Sequence, residues 1–353
     1  MIHPLKNLKV VDASSVLAGP SVGTYFAELG ANVIKIEHPT RGDVTRGWKL
    51  PSEDSDSSIS AYYSSVNYLK RVIRLDLSKD RNELVKEIED ADILLTNFKK
   101  GDDRKFGMTD SLLKRVNPRL IHGKITGYGS DSDRVAYDLI LQAESGFMSM
   151  NGTPESGPVK MPVAMIDVLA SHHLKEAILL ALYERERSNK GCTVEVSLYD
   201  AALSSLVNQA SNYLMADHIP QRIGSKHPNI APYGELFKTK DGAIITFAIG
   251  SDTHFKRLCN TLHVEQLSED DRFSTNQNRV VNRGELFEIL QAKVADREAD
   301  DILSSLSFAH VPAGKVKNLQ EVFDDPKAKS LIREEEIEGK STKRITSVVY
   351  KWT

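Results

Sequence analysis

Cysteine is nearly absent: Cys192 and Cys259 are the only two among 353 residues. They stand far apart in apolar, periodic surroundings, which argues against a structural disulfide, and two thiols alone make no zinc site. Long apolar runs are also missing. The longest, around Ile178 to Leu182, is far too short to span a bilayer, so no membrane partner is expected. There is no excess of positive charge. The net charge is −3 and the isoelectric point about 6.4, with basic residues dispersed, which excludes the nucleic-acid binders. Internal repeats and low-complexity tracts are absent. Met1 to Lys6 contains no cleavable apolar segment, so a cytoplasmic location is expected.

What is present is ordinary globular composition, 40% hydrophobic and 27% charged, enough to bury a large core without disulfides or metal. Short β-branched runs alternate with helical patterns through the first half. Leu8 to Ala13, Val33 to Glu37, Arg71 to Leu77, Ile93 to Thr96 and Leu120 to Thr126 read as strands. Ser21 to Leu29, Asp80 to Asp90 and Asp110 to Val116 read as helices between them. This spacing predicts βαβ units and an α/β fold with a doubly wound, Rossmann-like parallel sheet. Ser130 to Val163 is rich in Gly, Ser and Pro and reads as loop. A long helix is expected over Asp167 to Ser188, then a strand at Thr193 to Leu198 and a helix over Ala201 to Met215.

The texture changes near Pro228. Apolar runs at Gly234 to Lys238 and Ala243 to Ile249 flank Lys240-Asp241-Gly242, a strong hairpin signal. Residues 228–311 are therefore expected to form a smaller α+β domain. Residues 1–220 and 312–353 should form the large domain, with connectors near 189–227. The acidic run Glu334-Glu335-Glu336 reads as a solvated face.

Two segments carry candidate chemistry. Gly19-Pro20-Ser21-Val22-Gly23 opens a helix after a strand, but a Rossmann fingerprint needs Gly-x-Gly-x-x-Gly there. Pro20 stands where the backbone would approach a pyrophosphate, and no Walker A sequence exists, which argues against a bound NAD or ATP. The segment still makes a sound helix start with Pro in its first turn. Asp167 lies in the apolar stretch Met165 to Leu169, where the loop becomes a helix. One role for an aspartate there is a helix N-cap. The other is a nucleophile: a carboxylate at a helix N-terminus stays ionised and can attack an acyl carbon.

The chain also resembles family III CoA-transferases, the CaiB/BaiF family. The resemblance begins with Leu17-Ala18-Gly19-Pro20, Leu29 to Glu37, Gly42-Asp43 and Arg46-Gly47-Trp48. It continues through Lys70-Arg71, Leu75-Asp76-Leu77, Ala91 to Leu94, Asn97-Phe98, Asn117 to Ile121 and Gly127-Tyr128-Gly129. Tyr137-Asp138, Gln142-Ala143, Ser145-Gly146, His227 to Tyr233, Val311 to Gly314 and Asp325-Pro326 complete it. Each piece is weak, but their order and spacing cover about nine tenths of the chain.

This resemblance implies a CoA-transferase working on an acyl-CoA and a small carboxylic acid, with coenzyme A as substrate and product and no tightly bound cofactor or metal. It implies that Asp167 is the acyl-carrying nucleophile, with Tyr137 beside the thioester. Val16, Leu17 and Ala18 would line the CoA thiol arm. His38 would stand near the CoA phosphates, although a lone histidine there is equally a surface loop residue. Leu75, Asp76, Asn97, Phe98 and Lys99 would surround the adenosine, and Arg104 would pair with a phosphate. The family also implies an interlocked homodimer.

The chain departs from the family in three places. Leu17 stands where one branch has Gln, so backbone N–H groups would have to serve the oxyanion. A long glycine-only loop is lacking, Gly224 to Asn229 being the nearest candidate lid. The Leu-Gly-x-His-Thr segment common near the family's C-terminus is missing. These differences bear on the substrate rather than the chemistry. The racemase branch of the superfamily is the nearest alternative, but it uses His where this chain has Tyr137, and tyrosine, with a reference pKa of roughly 10, is a poor neutral-pH base. A non-catalytic acyl-CoA-binding protein is a further alternative, against which Asp167, Tyr137 and Arg104 together speak.

Overall fold

The computed structural model describes residues 3–351. The chain divides into two compact units, the first comprising residues up to Met148, Lys160–Ala216 and the segment from Lys327 onward. Its centre is a six-stranded sheet. The strands are β1 (Lys9–Asp12), β2 (Asn32–Glu37), β3 (Lys70–Arg74), β4 (Ile93–Thr96), β5 (Ile121–Thr126) and β6 (Thr193–Ser197). All neighbours pair in parallel, in the order β3-β2-β1-β4-β5-β6.

Alternation along each strand explains the layers. Val10, Ile93 and Leu95 join the core beneath the Ala18–Glu28 and Met165–Ser188 helices. Val11 and Leu94 point the other way, against Leu84, Ile88 and Leu113 of the Arg81–Glu89 and Asp110–Val116 helices. Central strands covered on both faces read as unbroken apolar runs, as Ile93–Thr96 does, with all four residues buried. Chain order reverses between β1 and β4, and in such sheets that is where a crevice opens at the carboxyl ends of the strands.

The second unit comprises Ser149–Val159 and Asp217–Pro326. Its antiparallel sheet is β7 (Phe237–Lys238), β8 (Ile244–Phe247) and β9 (Ala313–Lys315), in that order. The hairpin after Lys240 turns through Gly242 at φ 80°. Phe237 stacks on Phe247 at 4.7 Å and on Phe287 at 5.1 Å. The helices Asp252–Thr261, Arg283–Ala295 and Ala299–Phe308 close this core.

Several expectations meet differences. The second unit is wider than residues 228–311. Residues 313–315 pair with β8 as a third strand. Residues 149–159 are held to it by Gly224 N–H donating to Gly152 O at 2.8 Å and Arg222 donating to Ser149 O at 3.0 Å. The helix expected over Ala201 to Met215 is two, Leu198–Ser204 and Val207–Ala216, with Val207 at φ 44° at the break. The acidic run lies in a strand, β10 (Ile332–Ile337), pairing with β11 (Lys340–Ile345) around Glu338-Gly339, both at positive φ. This is two-residue hairpin geometry. Cys192 is exposed rather than in apolar surroundings, while Cys259 is buried, and both are free thiols. No helix among the described residues is long and apolar enough to cross a membrane.

Candidate active site

A cleft opens at the carboxyl ends of β1, β4 and β5. Ser15 to Ala18 line it after β1, Asn97 to Gly101 after β4, and Gly127, Gly129, Ser130 and Ser132 to Tyr137 after β5. Asp167, at the start of the Met165–Ser188 helix, and Leu198 complete it. Of the residues singled out from sequence, Val16, Leu17, Ala18, Asn97, Phe98, Lys99, Tyr137 and Asp167 come together here. They are scattered over 150 positions, and the βα turns of a parallel sheet collect them at one edge.

The remaining candidates stand outside this lining. His38 and Asp76 face each other, Nε2 to Oδ2 3.9 Å. Leu75 packs on the Leu84 core, as does Phe98, whose ring meets Phe106 edge-on at 5.2 Å. Arg104 is exposed on the short Asp102–Phe106 helix, and its guanidinium has no hydrogen-bond or ion-pair partner among the described residues. Asn97 is committed to the protein: its Oδ1 accepts from Ser15 N–H at 3.0 Å and its Nδ2 donates to Ser15 O at 2.8 Å. It fixes the turn after β1, a role beyond the one inferred from sequence. That turn contains Val16 at φ 74°, where a β-branched residue is a genuine outlier. The helix after it begins at Ala18, earlier than expected, so Pro20 falls in the first turn, where its missing N–H costs nothing.

Asp167 is not the cap of its helix. The N-cap position is Ala164, which offers no side-chain bond. The capping acceptor comes from elsewhere: Asp138 Oδ1 takes the Ile166 N–H at 2.8 Å, and Asp138 Oδ2 accepts from Gln142 Nε2 at 2.7 Å. Asp167 stands in the first turn, 9% exposed, and its carboxyl accepts no hydrogen bond among the described residues. Burial pushes its pKa up to about 7, and the neighbouring Asp138 carboxylate adds to the rise. The sequence reading expected a carboxylate kept ionised by the helix N-terminus. Desolvation and a like charge outweigh that effect, and the group sits near half-ionisation at neutral pH. A carboxyl poised this way in a cleft is a candidate for chemistry.

Sequence reasoning also missed a cluster of charged side chains buried behind the Ser14–Pro20 turn: Asp12, Lys35, Asp43 and Lys70. A Lys in the middle of the apolar Val33 to Glu37 run was the available signal. Beside it, Arg46 donates to Glu37 at 2.8 Å and to Tyr63 Oη at 2.8 Å.

The parallel sheet with a cleft at its switch point defines an α/β protein, and comparison with known proteins gives its family. Residues 5–351 match CoA-transferase family III. A succinate–glutarate CoA-transferase of Agrobacterium fabrum is 37% identical over 335 residues, covering 93% of this chain and 83% of that protein. A succinyl-CoA:glutarate CoA-transferase of Mus musculus is 34% identical over 329 residues, covering 92% and 74%. The crystal structure of a CAIB/BAIF family protein from Brucella suis superposes with a TM-score of 0.84 at 35% identity, covering 99% of this chain and 92% of that one. The chain belongs to CoA-transferase family III and is a CoA-transferase.

Proposed function

We propose that this enzyme moves CoA from a short dicarboxylic acyl-CoA, of the succinyl-CoA kind, to a second small dicarboxylic acid, of the glutarate kind, through covalent intermediates on Asp167. The observation that carries the chemistry is the Asp167 carboxyl, nearly buried and without a hydrogen bond among the described residues, in the cleft beside Val16 to Ala18 and Tyr137. The substrate class rests on the names of the two relatives above.

The steps balance without an added reagent. An Asp167 oxygen attacks the thioester carbonyl, and CoA leaves as thiolate, giving a mixed anhydride. The thiolate then attacks the Asp167 carbonyl, releasing the donor acid and leaving an aspartyl-CoA thioester. The acceptor carboxylate attacks that thioester, and the freed thiolate takes the acceptor acyl group from the new anhydride. Thioester is exchanged for thioester, so the site's work is orientation and exclusion of water. Tyr137 opens the Asp138–Glu144 helix at the cleft edge, and a tyrosine there supports transfer over racemisation, which needs a stronger base.

The test is a panel of CoA thioesters crossed with carboxylic acids and read by mass spectrometry. Succinyl-CoA with glutarate should give glutaryl-CoA. Turnover confined to monocarboxylic acids would remove the substrate assignment, and hydrolysis or epimerisation without exchange would remove the reaction.

For the nucleotide end, the reading keeps Leu75, Asp76, Phe98, Lys99, His38 and Arg104 around the adenosine and phosphates. Arg104 is free to take a phosphate. Arg104→Ala should weaken CoA binding by about 1.5–3 kcal/mol, roughly ten- to hundredfold in Kd. Calorimetric titration with CoA checks this, and unchanged affinity removes Arg104 from the site.

The same reading includes a homodimer with threaded chains. Support comes from large apolar side chains left exposed on two helices: Leu180 and Tyr183, and then Val207, Tyr213, Leu214 and Met215. Exposed patches of this kind mark association surfaces. Sedimentation at micromolar concentration should report a dimer, and a monomer would contradict it.

A further inference from the structure

Two lysines and two aspartates lie buried behind the cleft, and the mechanism above uses none of them. Lys35 and Asp12 have no exposed surface, the Lys70 side chain has none, and Asp43 is 4% exposed. Removing four charges from water is costly even when they are paired, and a hydrocarbon core of the same volume is commonly as stable. Stability alone is therefore a poor account of the cluster.

Its hydrogen bonds suggest another. Lys35 donates to the carbonyl of Ser14 and to Asp43 Oδ2 at 3.0 Å. Asp12 accepts from the N–H of Ser14 at 3.1 Å and from its hydroxyl. Lys70 donates to Asp12 Oδ2 at 2.8 Å and to the carbonyl of Pro20 at 2.8 Å. The charges thus grip the main chain at both ends of one turn. Between those grips lie Val16, at its left-handed φ of 74°, Leu17 and Ala18, the residues of that turn that face the cleft with Ser15. A strained conformation persists only where its surroundings over-determine it, and here the surroundings are the ion cluster and Asn97.

We propose that Lys35, Lys70 and Asp12 are positioning residues for CoA transfer, holding the Ser14–Pro20 turn so that the main chain of Val16 to Ala18 meets the acyl group under attack. The proposal rests on the Asp167 reading, and its test is separable from that reading. The turn can be moved without touching a charge, because a Cβ at Gly19 would lie 2.3 Å from Ser14 Oγ. The backbone there is helical, so alanine is otherwise favourable.

The experiment compares Gly19→Ala and Lys35→Met with the parent in kcat, acyl-CoA KM, CoA dissociation constant and melting temperature. Gly19→Ala should lower kcat on the order of a hundredfold, the scale of a misplacement of about 1 Å, with the CoA dissociation constant little changed. Lys35→Met should show the same split. Adding Ser14→Gly to Gly19→Ala removes the atoms in the way and should restore part of kcat. A folded Gly19→Ala with parental kcat overturns the proposal, as does an equal loss of CoA binding. If both variants fail to fold, the cluster is structural and the proposal falls. Should Asp167→Asn keep its activity, the covalent reading fails, and kcat of Gly19→Ala still judges the turn.

Discussion

Asp167→Asn should abolish CoA transfer while leaving a protein that is more stable above neutral pH. The amide keeps the shape of the carboxyl and removes the proposed nucleophile. Loss of a covalent catalyst lowers kcat on the order of 10⁴-fold or more. The stability effect follows from the raised pKa. Asp167 binds its proton more tightly in the folded state, about 7, than in the unfolded chain, near 3.8. Its favourable contribution is therefore complete below pH about 4 and is lost as pH rises through 7. Above that, the folded protein holds an ionised, nearly buried carboxylate at a cost of roughly 3–5 kcal/mol. Asparagine has no such cost. Its advantage should be absent below pH about 4, grow to pH 7 and then stay level. Melting curves across this range check it. A residue that only capped its helix would behave oppositely: its loss would destabilise by about 0.5–2 kcal/mol and leave turnover intact.

The second large effect is in pH dependence. Attack requires the ionised carboxylate, so kcat/KM, which reports the free enzyme, should fall about tenfold per pH unit below pH 7. Burial is the larger cause of the raised pKa, and Asp138 the second. Asp138→Asn keeps a carbonyl oxygen for the Ile166 N–H and removes the charge. The acid limb should then move to lower pH without reaching that of a free aspartate, because the burial remains. A limb that stays in place would show that Asp138 does not influence the nucleophile, and a flat profile from pH 5 to 8 would separate Asp167 from the chemistry.

The sheet was legible because its signals are local. Ile93–Thr96 is an apolar run bounded by turn residues, and the structure has a strand over those four residues. The place of Asp167 in the cleft was also legible, from an acid in an apolar helix start. Its electrostatics were not, because they depend first on burial in the folded chain and then on Asp138, 29 positions earlier, which supplies the cap that Asp167 does not. Asn97 is a similar case. Its motif pointed to the cleft, while its bonds to Ser15 span 82 positions. Lys35 was hidden in plain view: the Val33 to Glu37 run reads as a strand whatever its middle residue contacts. Only the parallel neighbours of β2 bring Asp12 and Lys70 to it. The β10–β11 hairpin was missed because three consecutive glutamates suggest solvent. Glu335 is in fact drawn in, its carboxylate accepting from Leu69 N–H at 2.9 Å, and Glu338-Gly339 was the turn signal that the acidic run obscured.

The central claim is a covalent bond to one side chain, and peptide mapping after hydroxylamine trapping tests it most directly. The protein is mixed with succinyl-CoA above pH 7, where Asp167 is ionised, and quenched with hydroxylamine, which converts an activated carboxyl to a hydroxamate. The account predicts a hydroxamate on Asp167 that requires the thioester and is absent from Asp167→Asn. Transfer proceeding at the parental rate with Asp167 unmodified, or with the hydroxamate on another residue, would contradict it.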